Sequence, residues 1–87
     1  MKVTILHKRN SETDTRVESY MREFQNRTGK KLEMLDAETP RGVDVARLHD
    51  ILQFPAILVT QDDGGYMQSW TELEKWPTIS ELSFYAQ

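Results

Sequence analysis

The stretch that most constrains the fold is an apolar run opened by a proline, Phe54-Pro55-Ala56-Ile57-Leu58-Val59. Proline has no backbone N–H and a fixed φ, so it suits the first residue of a strand and not the middle of a sheet. It also pushes the preceding Phe54 out of the α region, which ends any helix before it. A helix must therefore stop, and a buried strand must begin, close to Pro55.

Length and composition set the broad class. The chain has 87 residues, which predicts one domain, residues 1–87, with one modest core. Charged residues make up 29% and apolar residues 38%, as in soluble globular proteins. The net charge of −3 gives no reason to expect nucleic acid or a membrane surface as partner. No apolar run approaches a membrane span and no signal peptide is evident, so a cytoplasmic location is expected.

The chain contains no cysteine. This absence excludes a disulfide framework, thiolate metal ligands, a cysteine nucleophile and any dithiol–disulfide cycle. The two histidines, His7 and His49, have no further ligands at a spacing typical of metal sites. We therefore predict neither a metal site nor a cofactor.

The first half of the chain reads as strand, helix, strand. Residues 2–7 are rich in β-branched side chains and predict a strand covered on both faces. A helix is expected to start at Ser11, capped by Ser11 or Asn10, and to end before Gly29. Its apolar stripe consists of Val17, Tyr20, Met21 and Phe24. Residues 31–36 form a second strand, parallel to the first because the links are short.

A loop over residues 37–42 is indicated by its proline and glycine, and a second helix by the pattern of residues 43–53. The stripe predicted to be buried on that helix consists of Val45, Leu48 and Leu52, widened by Ile51.

The second half predicts a hairpin and a last helix. Residues 55–60 form a nearly continuous apolar strand, and Asp62-Asp63-Gly64-Gly65 is a turn. Residues 66–70 return as an edge strand, with Tyr66, Gln68 and Trp70 on one side and Met67 and Ser69 on the other. Thr78-Ile79-Ser80-Glu81 is a capping box for the last helix.

The resulting order, βαβαββα, with a proline opening the third strand, resembles the thioredoxin-like fold in its glutaredoxin-sized form. The most specific segments are residues 46–59, ARLHDILQFPAILV, and residues 63–66, DGGY. The resemblance implies an α/β fold in which a mixed four-stranded sheet is flanked by three helices, with the first and last helices on one face. It also implies a cis Phe54–Pro55 bond, which local physics does not, because only about 5–6% of such bonds are cis.

The resemblance ends at the active-site motif. The window in which such proteins carry Cys-x-x-Cys is Ser11-Glu12-Thr13-Asp14 here, so both redox positions are replaced. A serine hydroxyl cannot perform disulfide exchange, which excludes thiol–disulfide oxidoreductase activity. Gly64-Gly65 resembles the glycine pair that holds glutathione in glutaredoxins, but a strand follows it here, which favours a hairpin turn.

Two candidate surfaces follow from this arrangement. The candidate binding surface consists of Lys8, Arg9, Asn10, Ser11, Phe54 and Pro55. The N-terminus of a helix can hold an anion there, although Glu12 and Asp14 would repel one. The candidate interface consists of Tyr66, Met67, Trp70 and Trp76. Edge strands and exposed aromatic residues often mark protein interfaces, and the alternative is that the tryptophans cover the end of the sheet.

The leading hypothesis is a redox-inactive, non-catalytic binding module for a protein partner, or one that self-associates. A first alternative is a non-redox enzyme that binds an anionic substrate at the first helix, with Ser11 or His7 as the acting group. A Ser11, His7 and Asp14 triad is conceivable because all three lie near one strand end. A second alternative is a purely structural homodimer.

Overall fold

The computed structural model describes residues 1–9 and 12–86, and its elements follow the order βαβαββα. The strands are β1 (Lys2–His7), β2 (Glu33–Asp36), β3 (Ala56–Thr60) and β4 (Tyr66–Trp70). The helices are α1 (Asp14–Thr28), α2 (Pro40–Leu48) and α3 (Ile79–Tyr85), and a 3₁₀ turn covers Leu73–Lys75. Within the described ranges, no helix is both long enough and apolar enough to cross a membrane.

The four strands form one mixed sheet in the order β2-β1-β3-β4. The β1–β2 pair is parallel, as the short links predicted, and the other two pairs are antiparallel. Every residue of β3 is buried, which confirms that the apolar run after Pro55 is an inner strand. The peptide bond between Phe54 and Pro55 is cis.

Two separate cores lie on the two faces of the sheet. The core under α1 and α3 consists of Val3, Ile5, Val17, Phe24, Leu32, Ile57, Val59, Ile79 and Leu82. The core under α2 consists of Leu6, Leu35, Ala46, Ile51, Ala56 and Leu58. The first and last helices therefore share one face and the second helix covers the other, as predicted.

The ends of α1 and α3 follow local chemistry. Gly29 ends α1 in the left-handed region, with φ of 72°, and its N–H donates to the oxygen of Gln25. Thr78 and Glu81 form the predicted capping box at the start of α3. The start of α1 differs from the prediction, because the helix begins at Asp14. The predicted caps, Asn10 and Ser11, lie outside the described residues.

The boundaries of α2 were predicted wrongly at both ends. The helix begins at Pro40, because the Thr39 hydroxyl accepts a hydrogen bond from the Gly42 N–H and proline suits the first helical position. It ends at Leu48, shortly before Asp50 adopts a positive φ of 55°. Leu48 and Leu52 were expected to be buried and are 76% and 87% exposed. Ala46 and Ile51 fill the core in their place.

A glycine allows α2 to approach β2 closely. Gly42 is buried, and a Cβ atom there would overlap the backbone oxygen of Asp36. No other residue type fits this contact without a backbone shift.

The edge strand β4 contains a bulge that the alternating pattern did not reveal. Val59 pairs with Gln68 and Thr60 pairs with Tyr66, so Met67 is an extra residue on β4. Tyr66 consequently shares a side with Ser69, whose hydroxyl lies 2.9 Å from its own, and its ring lies beside His49. The prediction that Tyr66 lies on the same side as Gln68 and Trp70 is wrong because of this extra residue.

Candidate functional site

The end of β1, the start of α1 and the segment before β3 meet at one edge of the sheet. Lys8 follows β1, and its Nζ atom lies 5.6 Å from the centre of the Phe54 ring. This distance allows a cation–π contact. The structure therefore brings together two members of the candidate binding surface, Lys8 and Phe54, next to the buried Pro55.

Arg9 points to a different partner. Its Nε atom lies 3.6 Å from Oδ2 of Asp36, at the end of β2, and its side chain is 77% exposed. Lys8 and Arg9 therefore contact different groups and do not converge on one anion site. Asn10 and Ser11 of the same surface lie outside the described residues.

A buried histidine–carboxylate contact lies under the start of α1. Nδ1 of His7 is 3.3 Å from Oδ1 of Asp14, and the two side chains are 10% and 29% exposed. Both atoms are shielded from solvent and neither makes a well-directed hydrogen bond. The structure thus places two members of the conceivable triad in contact, and Ser11 lies outside the described residues.

A groove runs along this edge, and we call it the Pro55 groove. It has a volume of about 380 Å³ and is lined by Thr13, Gln53, Phe54, Pro55, Thr71, Glu72, Leu73 and Glu74. Phe54, Pro55 and Leu73 supply its apolar surface, and two carboxylates stand on its rim. Glu72 is paired with Lys75 at 3.1 Å and Glu74 with Arg16 at 3.7 Å.

Sequence analysis missed the half of this groove contributed by residues 71–74. That segment has no periodic pattern that predicts a helix or a strand. No sequence signal marks this half of the groove, because the pairing of Ile57 with Trp70 depends on the extra residue Met67. That pairing places Thr71 beside Ala56, the residue after Pro55.

Two backbone positions at the groove make no hydrogen bond within residues 1–9 and 12–86. Among the described residues, no hydrogen bond uses the backbone N–H or oxygen of Gln53 or Phe54. The nearest preceding residue whose backbone N–H makes a hydrogen bond is Ile51, which donates to the oxygen of Ala46. An extended chain laid along Gln53 and Phe54 could use these groups, as in strand addition.

The four residues of the candidate interface differ in their surroundings. Trp70 packs against Tyr85 and Trp76 against Tyr20, in edge-to-face pairs with centroid distances of 5.7 and 5.1 Å. Both tryptophans are half-buried against the core under α1 and α3. Tyr66 and Met67 are 52% and 37% exposed. Only the last two therefore present substantial free surface.

The contact with Trp76 is part of a larger aromatic junction. The Tyr20 hydroxyl donates a hydrogen bond to the backbone oxygen of Pro77 at 3.0 Å. Burial raises the pKa of Tyr20 well above its ordinary value, and the carboxylates of Glu81 and Glu23 raise it further. This junction ties α1 to the segment that leads into α3.

A metal centre has no evident ligand set in the described part of the chain. Residues 1–9 and 12–86 contain no group of three or more histidine, aspartate and glutamate side chains that could hold an ion. His7 and His49 lie on different elements, at the end of β1 and after α2.

No protein-family model matches the chain, and no curated protein matches it significantly by sequence. Solved structures do match. Thioredoxin 1 from the thermophilic eubacterium Thermosipho africanus is similar with a TM-score of 0.64 at 10% identity, covering 99% of this chain and 90% of that one. A malarial protein is similar with a TM-score of 0.63 at 14% identity, covering 97% of this chain and 90% of that one. The chain therefore has a thioredoxin-like fold, and it has this fold without any Cys-x-x-Cys motif.

Proposed function

We propose that this chain is a redox-inactive thioredoxin-like module that binds an extended segment of a partner protein in the Pro55 groove. The observation that supports this most concerns the backbone of Gln53 and Phe54, which makes no hydrogen bond to another described residue and lies beside an apolar floor. Backbone hydrogen bonds would supply affinity and the apolar floor would accept a side chain of the partner. The absence of cysteine leaves contact, and not thiol exchange, as the way such a groove can act.

The charge of the rim indicates the chemistry of the partner. Glu72 and Glu74 line the groove, and the cations they pair with, Lys75 and Arg16, are not part of its lining. Exposed ion pairs of this kind are worth only about 0–1 kcal/mol, so an incoming cation can replace them. We therefore expect the bound segment to carry lysine or arginine next to an apolar residue.

A library of displayed extended peptides, screened against the intact chain, tests the proposal. Selected peptides should be enriched in basic residues, and in an NMR titration they should shift the amides of Thr13, Gln53, Phe54 and Leu73. The double variant Glu72→Lys/Glu74→Lys should bind them at least about tenfold more weakly. Asp44→Lys, a charge reversal on the exposed side of α2, is the matched control and should leave binding unchanged.

The proposal is wrong if the selected peptides shift only residues outside the groove, or if the double variant binds them as tightly as the unmodified chain. Binding should also weaken as ionic strength rises, because exposed charges are screened.

A non-redox enzyme acting on an anionic substrate is less well supported by the same geometry. The carboxylates of Asp14, Glu72 and Glu74 surround the start of α1 and would repel an anion. A homodimer through β4 has one specific observation in its favour, the exposed Tyr66 and Met67. Sedimentation of the chain over a range of concentrations distinguishes this candidate from the peptide-binding module.

A further inference from the structure

A second cleft lies on the other side of the molecule, between α2 and the sheet. We call it the α2-side cleft. One face of α2 forms its roof, with Arg41, Val45 and Leu48, and residues of β1 and β3 form its floor. Its volume is about 390 Å³, within the size range of small-molecule sites. None of its lining residues belongs to the Pro55 groove.

The cleft exists because α2 covers only part of its face of the sheet. Ala46 of the helix packs with Leu6 and Leu35, which pair across β1 and β2. Further along the same face, Thr4 pairs with Leu58 and Lys2 pairs with Thr60. These positions line the cleft, and apart from Leu58 they do not belong to the core under α2.

Two threonine residues on the floor are buried, and their hydroxyl groups have no hydrogen-bond partner among the described residues. Thr4 is 6% exposed and Thr60 is 8% exposed, and both line the cleft. Within the described part of the chain, neither side chain makes a hydrogen bond. A hydroxyl can both donate and accept a hydrogen bond. The floor therefore presents two hydrogen-bonding groups to whatever enters.

The walls around these hydroxyls are apolar. Leu35, Val45 and Leu58 lie against the interior of the cleft, and Leu48 stands at its mouth with 76% of its surface exposed. A few convergent polar groups within an apolar lining are typical of sites for small organic molecules.

One end of the cleft carries an excess of positive charge. Lys2 and Arg41 both contact Glu33, with Nζ to Oε2 at 2.8 Å and Nη2 to Oε1 at 2.9 Å. The hydrogen bond from Lys2, supported by the charges of Lys2 and Arg41, holds the pKa of Glu33 below its ordinary value. One carboxylate thus faces two cations. Asp62 lies two residues after Thr60, the partner of Lys2, and its charge is already paired with the amino group of Met1 at 2.7 Å.

We propose that the α2-side cleft binds a small apolar carboxylic acid. Its carboxylate would lie beside Lys2 and Arg41, where one positive charge is not neutralised. Its apolar body would lie on Val45 and Leu58, and the hydroxyls of Thr4 and Thr60 would bond to its polar atoms. This site is independent of the Pro55 groove and does not require the proposed peptide binding.

The test is an NMR titration of the intact chain with 2-naphthoate and with its neutral analogue, 2-naphthamide. We expect 2-naphthoate to produce saturable shifts at Thr4, Leu58 and Thr60 and to bind at least about fivefold more tightly than the amide. The double variant Thr4→Val/Thr60→Val should weaken the binding of 2-naphthoate about tenfold. Thr71→Val, which changes the Pro55 groove, is the matched control and should have no effect.

A second variant keeps the test valid if the double valine variant does not fold. Arg41 is exposed, so Arg41→Gln should fold normally and should reduce the preference for the acid over the amide. The proposal is overturned if 2-naphthoate gives no saturable shifts, if it binds no better than the amide, or if neither variant changes its affinity. It is also overturned if the cleft residues shift on dilution without any probe, because a second copy of the chain would then occupy the cleft.

Discussion

Nδ1 of His7 faces Oδ1 of Asp14 at 3.3 Å, and both atoms are shielded from solvent. Two lone pairs at this distance would repel, so the contact is favourable only if Nδ1 carries a proton. We predict that the neutral ring of His7 is the Nδ1–H tautomer. A ¹⁵N-resolved spectrum of the two imidazole nitrogens checks this.

The variant Asp14→Ala serves as the comparison for that measurement. Without the carboxylate, the preference for Nδ1–H should disappear, because nothing else near Nδ1 accepts its proton within the described residues. A spectrum that shows the Nε2–H form in the unmodified chain would contradict the prediction.

Two adjacent residues after α2 should differ sharply in their contribution to stability. Ile51 is 4% exposed and belongs to the core under α2, whereas Leu52 is 87% exposed. We expect Ile51→Ala to lower the free energy of unfolding by about 2–5 kcal/mol, because it leaves a cavity. Leu52→Ala should change it by less than about 0.5 kcal/mol. Urea denaturation of both variants measures the difference, and equal losses would contradict the assignment of the core.

The contrast between Ile51 and Leu52 also shows which parts of the helices can be predicted from the sequence and which cannot. The end of α1 and the start of α3 were predicted because each has a clear local signal, Gly29 for α1 and the capping box at Thr78 for α3. The pattern of residues 43–53 predicts one continuous helix, and such a helix places Leu48 and Leu52 on its buried side. The chain leaves the helical path after Leu48, and this rotates Ile51 inward and Leu52 outward.

The candidate site was predictable only in part, for a similar reason. Lys8 and Phe54 meet because antiparallel pairing places the end of β1 beside the start of β3, which the element order implies. Leu73 reaches the same place through a connector without a pattern. The position of Tyr66 depends on a bulge, which no residue type in β4 signals.

Gly42 should be the glycine least tolerant of substitution by alanine. A Cβ atom there would overlap the backbone oxygen of Asp36, which cannot move without shifting β2 or α2. We expect Gly42→Ala to lower the free energy of unfolding by about 3 kcal/mol. Gly65→Ala is the matched control, because its Cβ would meet the exposed, flexible side chain of Asp63 at 3.1 Å, and we expect a loss below about 1 kcal/mol. Similar losses in thermal or urea denaturation would refute the close approach.

The Tyr20 hydroxyl should make stability fall at high pH. Burial raises the pKa of Tyr20 in the folded chain above its ordinary value near 10. The stabilising effect is therefore complete below about pH 10 and is lost as the pH rises further, because the unfolded chain releases this proton first. Tyr20→Phe should reduce that loss, at a cost of about 1 kcal/mol at neutral pH for the hydrogen bond to Pro77.

Urea unfolding at several values between about pH 8 and pH 11 measures this effect. Tyr66→Phe is the control, because Tyr66 is an exposed tyrosine on β4 and its removal should leave the decline in place. A Tyr20→Phe variant that declines as steeply as the unmodified chain would show that another group is responsible.

The extra residue in β4 has a consequence for crowded solutions. An outer strand with evenly spaced amide and carbonyl groups is a template on which further chains can assemble into ribbons. Met67 interrupts this spacing, so a strand of another chain could pair regularly only with the short stretch from Gln68 to Trp70. The bulge therefore disfavours polymerisation along this edge, on a strand that carries no charged side chain.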